Sequence, residues 1–159
     1  MRGDSSQASI FPPTDWIRPA DLRGELWRRQ LVQAWGQWLS TFPWDHYLTL
    51  TFRGEVTVGP ARFHFRRLVR RIEQRSQQAV YWFMAVEIGA GGRVHIHALF
   101  GQTERLAPDA IAEAWDRGRS EVARYDDRKG AAYYVSKAIT SDCVDYDISP
   151  PRVDRLRSA

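Results

Sequence analysis

The chain has 159 residues, 43% hydrophobic and 26% charged, enough to bury one core in a soluble domain. Its formal charge of +4, from 23 Lys and Arg against 19 Asp and Glu, permits a polyanionic partner without requiring one. A single cysteine, Cys143, excludes an internal disulfide framework and a Cys-rich zinc site; no apolar run approaches the roughly 18 residues of a membrane span, and the N-terminus lacks a signal-peptide core, so a cytoplasmic protein with no membrane partner is expected.

Residues 1–19 carry Ser, Gly and Pro without a period and read as a flexible arm. "DLRGELWRRQLVQAWGQWLSTF" reads as a helix. Asp21 sits near its start, and Leu26, Trp27, Leu31, Trp35, Trp38 and Leu39 recur at helical spacing. After Pro43, "HYLTLTF" alternates strictly, with Tyr47, Thr49 and Thr51 on one face and Leu48, Leu50 and Phe52 on the other, which predicts a strand. "RGEVTVGP" reads as a loop. "ARFHFRRLVRRIEQR" predicts a helix with Phe65, Leu68, Val69 and Ile72 buried. It holds six arginines against one glutamate, and Arg62, Arg66 and Arg70 recur at i,i+4 away from the apolar stripe, a candidate phosphate-contacting face.

"AVYWFMAVEI", "GAGG" and "RVHIHALF" predict two strands joined by a Gly-rich turn. "APDAIAEAWDRG" reads as a short helix, "RSEVARYD" as a strand and "GAAYYVSKAIT" as a helix. Residues 20–142 form the predicted domain and 143–159 read as an irregular tail. The hairpin rules out a purely parallel α/β fold. An α+β fold is expected, with an antiparallel sheet and helices segregated on one side.

The chemistry-bearing residues sit on that hairpin. His95 and His97 project from one face of a strand, with Cβ atoms ~7 Å apart, close enough to share one ion. Antiparallel pairing can bring Glu87, eight residues before His95, onto the same face. Glutamate is depleted from strands, and two imidazoles plus one carboxylate leave coordination positions open, as a catalytic metal requires. The turn is no nucleotide-binding loop. "GAGGRV" has Val94 where the last glycine of G-x-G-x-x-G belongs, and a strand follows it; no G-x-x-x-x-G-K-[ST] occurs either. In "YYVSK", Tyr134 is i,i+3 and Tyr133 i,i+4 to Lys137. With Ala132, Val135 and Ile139 as the buried face, both tyrosines and the lysine are expected opposite it. A phenol, with a pKa of ~10, needs help to attack; a metal on the electrophile and a lysine near the reacting oxygens supply it.

Taken in order, "HYLTLTF", "HIHALF" and "YVSK" resemble the three motifs of the HUH (His-hydrophobic-His) endonucleases, specifically the rolling-circle replication initiators. The "AW" and "DRG" that precede the tyrosine helix also resemble phage and plasmid initiators. The resemblance spans about residues 45–140. It implies an RRM-like antiparallel sheet with the histidines on a central strand. It implies a divalent cofactor, Mg or Mn, held by His95, His97 and Glu87. It further implies that Tyr134 attacks a phosphodiester of single-stranded DNA, leaving a 5′-phosphotyrosine link and a free 3′-hydroxyl, with Lys137 as the motif lysine. Ala138 stands at the second tyrosine position of Y-x-x-K-Y, which argues against two alternating tyrosines on this helix. A helicase, if needed, would come from a separate chain.

Two other readings stay open. One is a single-tyrosine transposase of the same superfamily, although its helix does not normally show Y-x-x-K. The other is a non-catalytic RRM-like nucleic-acid-binding domain, although no string of the K/R-G-F/Y-G/A-F-V-x-F/Y type occurs.

Overall fold

The structure is a computed structural model that describes residues 25–140 and 142–151. The predicted arm, Asp21 and residues 152–159 lie outside these, as do the side chains of Leu26 and Trp27. The elements run α1 (Glu25–Leu39), β1 (His46–Thr51), α2 (Val58–Ser76), β2 (Tyr81–Ile88), a 3₁₀ turn (Ala90–Gly92), β3 (Val94–Gly101), α3 (Pro108–Ala112), β4 (Ser120–Arg124), α4 (Gly130–Ala138) and β5 (Cys143–Ser149). The five strands form one sheet in the order β4-β1-β3-β2-β5, and every neighbouring pair is antiparallel. The fold is α+β, and β1-α2-β2-β3-α3-β4 has the connectivity of the ferredoxin-like split βαβ unit. No helix among the described residues is long and apolar enough to cross a membrane.

Helices cover both faces of the sheet, where the sequence pattern predicted one. The two crossovers α2 and α3 each link parallel strands, and a right-handed crossover puts both on the same face. There Phe65, Leu68 and Ile72 of α2 and Ile111 of α3 pack on Leu48, Leu50, Met84 and Ile96. The remaining helices, α1 and α4, cover the other face, where Trp35, Leu39, Val135 and Ala138 pack on Phe83, Ala85 and Leu99. Trp35 lies 5.4 Å from the Phe83 ring and 5.3 Å from that of Tyr146. The helical tryptophan spacing therefore reports core packing.

The segment 143–149 is not the irregular tail predicted. It is the edge strand β5, paired with β2 and bulged at Val144, so that Glu87 aligns with Cys143 and Val86 with Asp145. Tyr146 and Ile148 face α1, while Asp145 and Asp147 face α2.

α1 crosses α4 closely. A methyl on Gly36 would lie 2.6 Å from both Cα and Cβ of Ala132. Alanine favours a helix over glycine by ~1 kcal/mol, yet Gly36→Ala is expected to lower stability, because overpacking of ~1–3 kcal/mol outweighs that gain. Urea unfolding checks this, and Ala132→Gly should not rescue it, because the contact with the Ala132 Cα remains.

His46 opens β1 fully buried, with Nδ1 2.8 Å from the Thr103 hydroxyl. Burial, aided by Arg124, lowers its pKa from 6.5 to about 4. Between those values the unfolded chain binds more protons. The stability is therefore complete above pH 6.5 and is lost as the pH falls toward 4. The loss expected near pH 4.5 is roughly 2.5 kcal/mol. Neighbouring Asp45 is shifted upward, chiefly by burial, and works in the opposite direction. Urea midpoints at pH 7.5 and 4.5 test this, and His46→Asn should flatten the dependence.

Candidate active site under the tyrosine helix

Strand alternation and register build the site. Glu87 on β2 aligns with His95 on β3, and across β3 Thr51 aligns with His95 and Thr49 with His97. All five side chains share the face covered by α1 and α4, with Tyr47 beside them. Glu87 Oε2 lies 3.4 Å from His97 Nε2 and accepts a hydrogen bond from the Thr140 hydroxyl at 3.2 Å. His95 Nε2 and Glu87 Oε1 flank Gly89, at 3.8 and 3.9 Å from where its Cβ would stand. His97 Nδ1 meets the Tyr47 hydroxyl at 3.0 Å and the Thr49 hydroxyl at 3.3 Å.

These contacts set protonation. Burial lowers the His97 pKa below 6.5 and outweighs the attraction of Glu87, so the imidazole is neutral near pH 7. Burial raises the Tyr47 phenol to about 12, so it keeps its proton. Both hydroxyls can accept Nδ1–H. That tautomer leaves the Nε2 lone pair toward Glu87, the form a metal ligand needs. The donor set thus fits a hard or borderline divalent ion in its chemistry. In its geometry the carboxylate is close to His97, but no group of three His, Cys, Asp or Glu side chains among the described residues closes into a metal-holding cluster.

α4 brings the tyrosines and the lysine to this face. It starts at Gly130, whose φ of 74° suits glycine. The buried stripe is Ala131, Tyr134, Val135 and Ala138, not Ala132 with both tyrosines opposite. Tyr134 is 5% exposed, its ring 5.0 Å from Tyr47 and 4.7 Å from Tyr125, and its hydroxyl accepts the Asp126 N–H at 2.8 Å. Tyr133 is 36% exposed. Lys137 Nζ lies 4.7 Å and Lys129 Nζ 5.0 Å from its ring centre. A hydrogen bond from Lys137 lowers the Tyr133 phenol below its usual 10. Lys137 also lies near enough to His97 to disfavour its protonation.

Two of the three arginines on the candidate phosphate-contacting face are ion-paired. Arg62 donates to Asp145 at 2.5 Å and to Asp147 at 2.6 Å, and Arg66 reaches Asp147 at 3.3 Å. These two arginines tie α2 to β5; Arg70 stays exposed with no ion pair among the described residues. Tyr47, Thr49 and Thr140 contact His97 and Glu87 in the candidate site, and the sequence reading did not single them out. The first two were legible as same-face partners of the histidines on "HYLTLT"; Thr140 depends on where α4 ends.

The profile of the replication-associated protein ORF2 family matches residues 45–142. That stretch holds β1 through α4, with the Glu87–His95–His97 face and the tyrosine helix inside it. The chain belongs to this family, and is therefore a replication-associated protein with DNA as its partner. Neither a curated relative nor a solved structure matches it.

Proposed function

We propose that the protein is a metal-dependent endonuclease and strand transferase that nicks and rejoins single-stranded DNA through a tyrosine of α4, initiating rolling-circle replication of a plasmid or phage. What carries this reading is one juxtaposition within a replication-associated family: Glu87 at 3.4 Å from His97, with Lys137 and two tyrosines on the helix over the same sheet face.

His95, His97 and Glu87 would hold the divalent ion, Mg or Mn, with Tyr47 and Thr49 fixing the His97 tautomer and Thr140 orienting Glu87. When bound, such an ion polarises the scissile phosphate. The tyrosine oxygen forms a bond to phosphorus, the bond from phosphorus to the 3′ oxygen breaks, and the phenol proton ends on the 3′-hydroxyl. Lys137 stabilises the phenolate and the charge on the phosphate oxygens. The tyrosyl ester keeps the phosphodiester's free energy, so rejoining needs no ATP.

Tyr134 holds the Y-x-x-K position and is the proposed nucleophile. Its hydroxyl must first leave the Asp126 amide. A second reading gives the role to Tyr133, favoured by its exposure and its contact with Lys137. Incubation with mixed single-stranded oligonucleotides and Mn tests the reaction: a covalent protein–DNA adduct supports it, and its absence with DNA bound refutes it. A non-catalytic RRM-like domain would bind without an adduct. A single-tyrosine transposase would form the adduct on hairpin ends of a mobile element.

A further inference from the structure

Beside the histidine strand, at the end of the sheet, lies a cleft of about 970 Å³ that the proposed chemistry does not use. Phe52, the first turns of α2 and the turn before β3 line it, and a smaller cleft extends it to Arg117. Arg53 and Arg93 on its walls are exposed and have no ion pair among the described residues. Gly54, Gly59, Gly91 and Gly92 leave open space where side chains would stand. Two rings line it, His64 and Phe52, 6.2 Å apart; Phe63 stands beside His64 at 5.5 Å, outside the lining, and Trp115 backs Phe52 at 5.1 Å. Phe63 is 57% exposed, the most exposed large apolar side chain among the described residues. Trp115 Nε1–H donates to the carbonyl of Thr51 and anchors the inner end of this row of rings in the core on the α2 face of the sheet, opposite the face that carries the histidine side chains.

We infer that this cleft holds unpaired nucleotides of the DNA strand next to the cleaved phosphate, with bases stacked on His64 and Phe63 and phosphates met by Arg53 and Arg93. The chemistry selects that occupant. Flat rings beside two unpaired arginines, which outnumber the one carboxylate of the lining, Glu55, match a single strand, whose bases are free to stack, and a duplex offers no such faces. The cleft's volume lies at the upper end of the ~300–1,000 Å³ typical of ligand sites. Arg93 is two residues from His95, so a strand in the cleft continues directly toward the candidate site. The inference rests on the single-stranded DNA reading above.

The test separates the two. Anisotropy with mixed-sequence oligonucleotides, without metal, measures binding alone. Phe63→Ala and His64→Ala should each weaken it about tenfold, the scale of one lost base stack. Arg53→Ala with Arg93→Ala should lower the slope of log affinity against log salt by about 1.4, roughly 0.7 for each single-strand phosphate contact removed. An oligonucleotide carrying 5-iododeoxyuridine should cross-link to the peptide containing Phe63 and His64, a readout that needs no variant. Unchanged affinity in all variants, or cross-links confined to other peptides, overturns the cleft while leaving single-strand binding intact. Weakened variants in a protein that forms no adduct uphold the cleft and refute the nicking. A wild-type protein that binds no single strand overturns both.

Discussion

Tyr134→Phe is expected to abolish the covalent DNA adduct and nicking while leaving oligonucleotide binding unchanged. Only one oxygen is removed. The ring keeps its contacts with Tyr47 and Tyr125, and α4 keeps its packing on α1. The loss should resemble that of other covalent nucleophiles, up to about a millionfold. The substitution also removes the acceptor of the Asp126 N–H, which costs about 1 kcal/mol of stability, well short of unfolding a domain. Tyr133→Phe is expected to slow the reaction mildly, because Lys137 and Lys129 lose only the hydroxyl of the ring they share. Peptide mapping of the adduct decides between the two. An adduct that survives in Tyr134→Phe and maps to Tyr133 transfers the nucleophile to the exposed tyrosine and makes Tyr134 a packing residue.

The tyrosine helix shows where sequence reasoning stops. Its real stripe, Ala131, Tyr134, Val135 and Ala138, is a regular i, i+3, i+4, i+7 pattern. Counting both tyrosines as polar hid it. A tyrosine buries its ring when its hydroxyl finds a partner, and the Asp126 amide that supplies one belongs to a loop no local pattern describes. By contrast, the Glu87–His95–His97 face was legible, because alternation and a tight hairpin fix which side chains meet. The turn length set Glu87 against His95, and the pairing holds residue for residue.

The strand β5 and the ion pairs on the arginine face have one origin. "CVDYDIS" does alternate, but aspartates are depleted from strands and the segment reads as a tail. Once it pairs with β2, its Asp145 and Asp147 stand under Arg62 and Arg66 and occupy them. The covering of both faces left its own signal. Tyr81 to Val86 is apolar without alternation, the mark of a strand buried on two sides, and all six residues are buried.

The second large effect is expected at the proposed metal donors. His97→Ala and Glu87→Gln should each lower Mn affinity at least a hundredfold by calorimetry and should abolish adduct formation with it. Each removes or neutralises one of the three proposed donors, and each leaves its neighbour in place: Glu87 stays held by Thr140, and His97 by Tyr47 and Thr49. Supporting contacts to a ligand are typically worth about 10–100-fold in affinity, so Tyr47→Phe should fall in that range and below the effect of losing a donor. Thr49 remains as a second hydrogen-bond partner of His97 Nδ1, which places the Tyr47 effect near the low end. That ordering is what separates a metal centre from a buried polar cluster. If Glu87 and His97 were only a hydrogen-bonded pair, Glu87→Gln would preserve the contact as a neutral hydrogen bond and change Mn binding no more than Tyr47→Phe does. Equal Mn affinity across the three variants would remove the metal from the proposal and leave Lys137 as the sole support for the tyrosine's attack.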